Sequence, residues 1–135
     1  MANALYPKAK ESFLSGDLDL PSDTIKAQLI DTGNYTYSTA HDFLDDVGSS
    51  AKIGTAGTLG SKTVTSGVFD AADITYSSVT GATVEAIIIY KDTGNAATSN
   101  LIAYIDTASS GLPVTPNGGD ITVTWDSGGN KIFAL

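Results

Sequence analysis

"VEAIIIYKD", residues 84–92, decides how this chain is read. From Ala86 to Tyr90 the side chains are apolar without a break, so both faces of an extended segment would be apolar. A strand with one wet face alternates, whereas a strand covered on both sides reads as a continuous apolar run. The segment is expected to be a central, doubly covered strand. The run is also far too short to cross a bilayer as a helix.

Strand signals recur on both sides of it at short intervals. "TIKAQLIDT" places Ile25, Ala27 and Leu29 on one face and Lys26 and Gln28 on the other, predicting a strand with one wet face. "KTVTSGVF", "DITYSSV", "NLIAYIDT", "DITVTWD" and "KIFAL" follow, and in "ITVTW" Ile121, Val123 and Trp125 alternate with threonines. "DTGNAATSN", "PNGGD" and "DSGGN" supply the Asp, Asn and Gly that tight turns use. Residues 49–62, "SSAKIGTAGTLGSK", read as an extended loop or irregular edge. Near the start, Pro7 fits a first helical position, Ala9, Phe13 and Leu14 share a face, and Gly16 ends the helix. The expected fold is a mainly β domain, an antiparallel β-sandwich or barrel-like arrangement, with one or two short helices near the N-terminus. A helix and arm over residues 1–20 would precede a β core over residues 21–135 in one domain.

Composition narrows the function classes. The 135 residues suffice for one hydrophobic core without staples, and no cysteine offers a disulfide, a thiolate ligand or a thiol nucleophile. Fifteen acidic residues against seven lysines and no arginine give a formal charge of −8, which disfavours nucleic acid as a direct partner. Only 16% of residues are charged, in keeping with strands whose outer faces are neutral and polar. Lys8, Lys10 and Glu11 interrupt the stretch where a secretory leader would be apolar, so neither export nor membrane attachment is expected.

Several segments resemble reactive sites. "STAHDFLDDV", residues 38–47, holds the one histidine with Asp42, Asp45 and Asp46. Ser38 or Thr39 fits an N-cap, and Phe43, Leu44 and Val47 fall at helical spacing, predicting a short capped helix with a solvated acidic face. His41 and Asp45 are ligands from a single turn, and zinc would need more of them than this chain offers. "GTLGSKT" departs from a phosphate loop at Ser61 and is followed by strand-like residues rather than a helix. Asp17, Asp19 and Asp23 lack the glycine and glutamate of a calcium loop. Asp70 with Asp73, and Glu85 with Asp106, are nominal carboxylate pairs better read as solvated or turn-capping groups. Tyr35, Tyr37, Tyr76, Tyr90, Tyr104 and Trp125 offer either a sugar-stacking platform or half-buried strand aromatics, the second being the commoner arrangement. No catalytic residue, metal ligand or cofactor site is assigned, and the chain is expected not to be an enzyme.

Four stretches together resemble a family of small tailed-bacteriophage virion proteins: "MANALYPKAKESFLSGDLDL", "TIKAQLIDTGNYTYSTAHDFLDDV", "VEAIIIYKDTGNAATSNLIAYIDT" and "GLPVTPNGGDITVTWDSGGNKIFAL". The likeness spans nearly the whole chain, departs at residues 48–61, and brings no active-site motif. It implies a virion structural protein, and within that class a capsid decoration or cement protein made in the host cytoplasm and carried on the capsid surface. Its implied partner is the phage major capsid protein, with self-association or multivalent lattice contacts, and without nucleic acid, membrane or cofactor. Tail, baseplate or neck protein is the alternative, and a carbohydrate-binding module a further one. "KIFAL" is expected to pair as a hairpin with "DITVTWD" and to offer an edge to a neighbouring chain. Leu5, Tyr6, Ile132, Phe133 and Leu135 are the candidate partner contacts.

Overall fold

Residues 84–92 do form the strand around which the rest is assembled. The computed structural model describes residues 3–106, 112–129 and 131–135. Met1 and Ala2 of the expected arm, Thr107 of "NLIAYIDT", Gly111 of "GLPVTPNGGD" and Asn130 of "DSGGN" lie outside the described residues. The main sheet contains β1 (Ala4–Leu5), β2 (Ile25–Ile30), β3 (Lys52–Thr58), β7 (Ala86–Lys91) and β8 (Leu101–Ile105), in the order β1-β8-β7-β2-β3. A second sheet has the order β10-β5-β4, from Phe133–Ala134, Val68–Asp70 and Thr63–Thr65, and a ribbon pairs β6 (Ile74–Tyr76) with β9 (Ile121–Val123). All strand pairings are antiparallel, so the expected mainly β, sandwich-like class is the one observed.

The register sorts the main sheet into two faces. Ala27, Leu29, Ile87, Ile89 and Ala103 share one, and Gln28, Ile88 and Tyr104 share the other. The β6–β9 ribbon lies over the first. Gly57, opposite Ala27, faces Ile74 so closely that a Cβ there would stand 2.4 Å from Ile74 Cδ1. Tyr76 of the same ribbon donates its hydroxyl to the Ala27 carbonyl at 2.8 Å. Over the second face lies the connection between β2 and β3, whose Tyr35 and Tyr37 rings pack against Tyr104 at 6.3 and 5.7 Å.

One helix, α1 (Pro7–Ser15), follows β1. Proline opens it, and Gly16 at φ 85° closes it as the N–H groups of Gly16 and Asp17 reach the Phe13 and Ser12 carbonyls. Ala9 is buried, Phe13 half-buried, and Leu14 points outward rather than sharing their face. Within residues 1–20, β1 adds to the main sheet as its outer strand beside β8.

Three other expectations change. Gln28 is buried rather than wet: its carboxamide donates to the Ile53 and Gly54 carbonyls at 2.9 and 3.3 Å, where the β2–β3 register is interrupted. A side chain thus supplies hydrogen bonds that the irregular ladder lacks. Residues 52–58 of the expected loop or irregular edge form β3, the edge strand beside that interruption. "KIFAL" does not pair with "DITVTWD". Strand β9 is taken by β6, and beyond it Trp125 is tied to the 72–73 backbone and side chain through Ala72 O and Asp73 Oδ1. Strand β10 pairs instead with β5, where Phe133 meets Phe69 at 5.2 Å and Phe13 at 6.3 Å.

That aromatic seam sets a prediction. Phe133→Ala is expected to cost about 3–5 kcal/mol of unfolding free energy, the usual range for a buried phenylalanine. Leu135→Ala, an exposed change beside it, should stay within about 0.5 kcal/mol. Urea denaturation of both variants provides the comparison, and equal midpoints would show that β10 is not part of the core.

Candidate functional site

Among the described residues three large apolar side chains are well exposed: Leu14 at 90%, Val64 at 50% and Leu135 at 65%. They come from α1, β4 and the end of β10, yet they border two adjoining grooves. One, of about 400 Å³, is lined by Phe13, Leu18, Leu20, Val64, Phe69 and Leu135 among others. The other, of about 330 Å³, includes Leu5, Lys10, Phe13, Leu14 and Leu135, so the two share Phe13 and Leu135. Single exposed leucines are ordinary, but convergence on one contiguous apolar surface makes this the candidate site. The surface is held from beneath. Ile132 N–H donates to the Phe69 carbonyl at 3.2 Å and Leu135 N–H to the Gly67 carbonyl at 2.8 Å, fixing the chain under Leu135. Strand β4 is the outer strand of its sheet, and its far edge pairs with no other strand among the described residues.

The expected contact residues divide. Leu135 and half-buried Leu5 line these grooves, whereas Tyr6 at 0%, Ile132 at 6% and Phe133 at 8% exposure belong to the protein's own core. Of the five, Phe133 still helps to form a groove floor. Leu14 and Val64, which sequence reasoning did not select, complete the surface. Val64 was detectable as the one large apolar residue between Thr63 and Thr65.

The acidic segment at residues 38–47 is not the expected helix. Only a 3₁₀ turn, Leu44–Asp46, forms. Its backbone is drawn to the 96–101 segment instead: Leu44 N–H donates to the Ser99 carbonyl, Asp45 N–H to that of Ala96, and Leu101 N–H to that of Asp42. Asp46 turns back to accept from the Asp42 and Phe43 N–H groups at 2.8 and 3.4 Å. His41 Nδ1 lies 2.8 Å from the Tyr35 hydroxyl, which lies 2.8 Å from that of buried Tyr6. Burial, its largest influence, pushes the Tyr35 phenol up to about 12. This is a hydrogen-bonded lining between layers, and among the described residues no three His, Asp or Glu side chains come together to hold a metal.

The remaining candidates are accounted for by local structure. Lys62 of "GTLGSKT" donates to the Asp23 carbonyl, and its segment joins two strands. Lys91 clamps the aspartate turn, pairing with Asp23 at 3.4 Å and donating to the Asp17 carbonyl at 2.9 Å. Asp73 accepts from Trp125 N–H. Tyr35, Tyr76, Tyr90, Tyr104 and Trp125 are each 4–6% exposed, more buried than expected, and present no ring platform to solvent. Glu85 and Asp106 line one groove with Tyr37 and Tyr104.

No family model matches the chain, and no curated protein matches it significantly. The apolar surface is therefore the site on which a function has to be argued.

The Asp46 turn yields a prediction with a definite sign. Burial alone would raise its carboxyl, but the two N–H groups and the charge of nearby His41 outweigh this and hold it below the usual carboxylate range. A carboxyl lowered by folding stabilises the native state above its unfolded value, and that contribution disappears as pH falls through the folded value. Because Asp46 is exposed, Asp46→Asn should cost no more than about 1 kcal/mol at neutral pH. The gap between variant and wild-type melting temperatures should narrow below about pH 4. A gap that widens in acid would refute this account of the turn.

Proposed function

We propose that this chain is a non-catalytic structural protein of a tailed-phage virion, a capsid decoration or cement protein that binds between major capsid subunits. One observation carries the reading: Leu14, Val64 and Leu135 converge on a continuous apolar face beside an open strand edge. Such a face suits an extended segment of a neighbouring chain, which adds its backbone to β4 and places alternate side chains in the grooves. The resemblance of four long stretches to small phage virion proteins points the same way. A charge of −8 would keep free subunits apart before assembly. In this reading the protein is made in the host cytoplasm and resides on the outer capsid surface.

A cement protein must touch several capsid chains whose spacing is set on expansion, so it binds expanded heads and stabilises them by mass action. Purified protein is expected to bind stripped, expanded heads of its own phage in many copies and to bind unexpanded precursors poorly. Leu14→Ser with Leu135→Ser should leave the fold intact and reduce occupancy by at least about tenfold, as loss of two apolar contacts would. Copy counting by cryo-microscopy and heat release of DNA are the measurements. Copies confined to the tail or portal vertex would make this a tail or neck protein, and no binding to the particle would overturn both assignments.

A further inference from the structure

The turn that leads into β9 carries a chemically distinctive pair. Of the six asparagines, only Asn117 is followed by glycine; Asn3, Asn34, Asn95, Asn100 and Asn130 precede Ala, Tyr, Ala, Leu and Lys. A backbone nitrogen that follows asparagine can attack the side-chain amide carbon. Glycine makes that approach easiest, because it has no Cβ to screen its nitrogen or restrict its dihedral angles. Residues 117–120 are exposed, so water reaches the pair.

Two hydrogen bonds act on this pair in opposite directions. Gly119 N–H donates to Asn117 Oδ1 at 2.9 Å. A donor at that oxygen polarises the amide and stabilises the negative charge that develops there during attack at Cγ. Gly118 N–H, on the nitrogen that would attack, donates instead to the Val79 carbonyl at 2.8 Å. A peptide nitrogen becomes a nucleophile only after losing its proton, and this bond keeps both proton and nitrogen engaged. The clamp is anchored from below: Val79 is buried, and its own N–H donates to the Gly119 carbonyl at 3.0 Å. Beside it, Ser78 N–H donates to Asp120 Oδ1 at 3.0 Å. Gly118 sits at φ 88°, a conformation that favours glycine.

We propose that Asn117 is a site of spontaneous deamidation whose rate is set by opening of the Val79 clamp. When the bond to Val79 opens, the Gly118 nitrogen gives its proton to water or hydroxide and bonds to Asn117 Cγ. The bond from Cγ to Nδ2 breaks, and Nδ2 takes up a proton and leaves as ammonia. Water then opens the cyclic imide at one carbonyl or the other, leaving aspartate or its isomer, in which the main chain runs through the former side chain. No reactant other than water enters. Either product adds a negative charge close to Asp120. The isomer lengthens the main chain by one carbon, so residues 118 and 119 cannot both stay opposite Val79, and this end of the β6–β9 ribbon is released. The inference stands apart from the virion reading, because it concerns the purified chain.

The test is a time course of the isotope-labelled chain at mildly alkaline pH, in buffer and in urea, with the products mapped by peptide mass spectrometry. Asn117 is expected to convert ahead of every other asparagine in both. Conversion should be at least about tenfold slower in buffer than in urea, the scale of a local opening that costs about 1.4 kcal/mol. Asp120→Ala removes the acceptor of Ser78 N–H and loosens the clamp. It should speed the reaction severalfold in buffer and leave the rate in urea unchanged, with the amide spectrum confirming that β7 stays folded. In the wild type, the amide signals of Ser78, Val79 and Gly118 should be replaced at the rate of the mass change. Asn117→Gln, which would need a larger ring, should yield no product. Equal rates in buffer and urea, or another asparagine converting first, would overturn the proposal. So would a folded Asp120→Ala chain that reacts no faster than wild type.

Discussion

Burial of β7 on both faces and both edges is the constraint on which the structure depends. Ala86 to Tyr90 are all buried, and every residue of the strand is paired with β2, with β8 or with both. A strand so enclosed satisfies its central backbone groups within the sheet, and its isoleucines bring the apolar area that drives collapse. Both faces then need a cover, and the cover on each side differs. One is the β6–β9 ribbon, brought close by the missing side chain at Gly57. The other is an irregular connection held by tyrosine rings rather than by a ladder.

The difference in cover explains what could be read from the chain. Alternation and apolar runs depend on neighbours along the strand, so most of the strands and the turns around Asp92 and Asp126 were legible. Partners distant in sequence were not. Nothing local tells "KIFAL" to choose β5 over β9; that choice is made by Phe133 reaching Phe69 and Phe13. The helix anticipated at residues 38–47 had sound local signals, but the 96–101 segment competes for the same backbone groups and prevails. Gln28 looked solvated by alternation alone, since the carbonyls it serves belong to an interruption in β3 that periodicity cannot show.

The candidate surface was legible in part for the same reason. Leu135 stood out as an apolar residue beside a strand, but Tyr6, Ile132 and Phe133 looked equally available until packing buried them. Leu14 failed to join the inner stripe because α1 turns only Ala9 and part of Phe13 toward β8 and the aromatic seam. The acidic groove could be glimpsed as a nominal carboxylate pair, Glu85 with Asp106. Its lining by Tyr104, buried beneath the Tyr35 and Tyr37 rings, exists only in the folded chain. The molecule thus carries an apolar surface and a separate groove lined by Glu85 and Asp106.

Gly57 has a consequence for how this chain can change over generations. The spacing between main sheet and ribbon is set by a hydrogen atom, with Ile74 Cδ1 occupying the place where a methyl would stand. Residues 57 and 74 therefore cannot vary independently, since contacting positions couple. Alanine at 57 becomes easier to accommodate if 74 first loses its terminal methyl, as in Ile74→Val, which removes the 2.4 Å encounter and leaves the 3.2 Å approach of Cγ1. Order matters along such a path: the valine step is mild alone, whereas the alanine step taken first meets a crowded interior. Two sites on different strands are thereby ordered in time, and relatives with a side chain at 57 should be found to carry a residue smaller than isoleucine at 74.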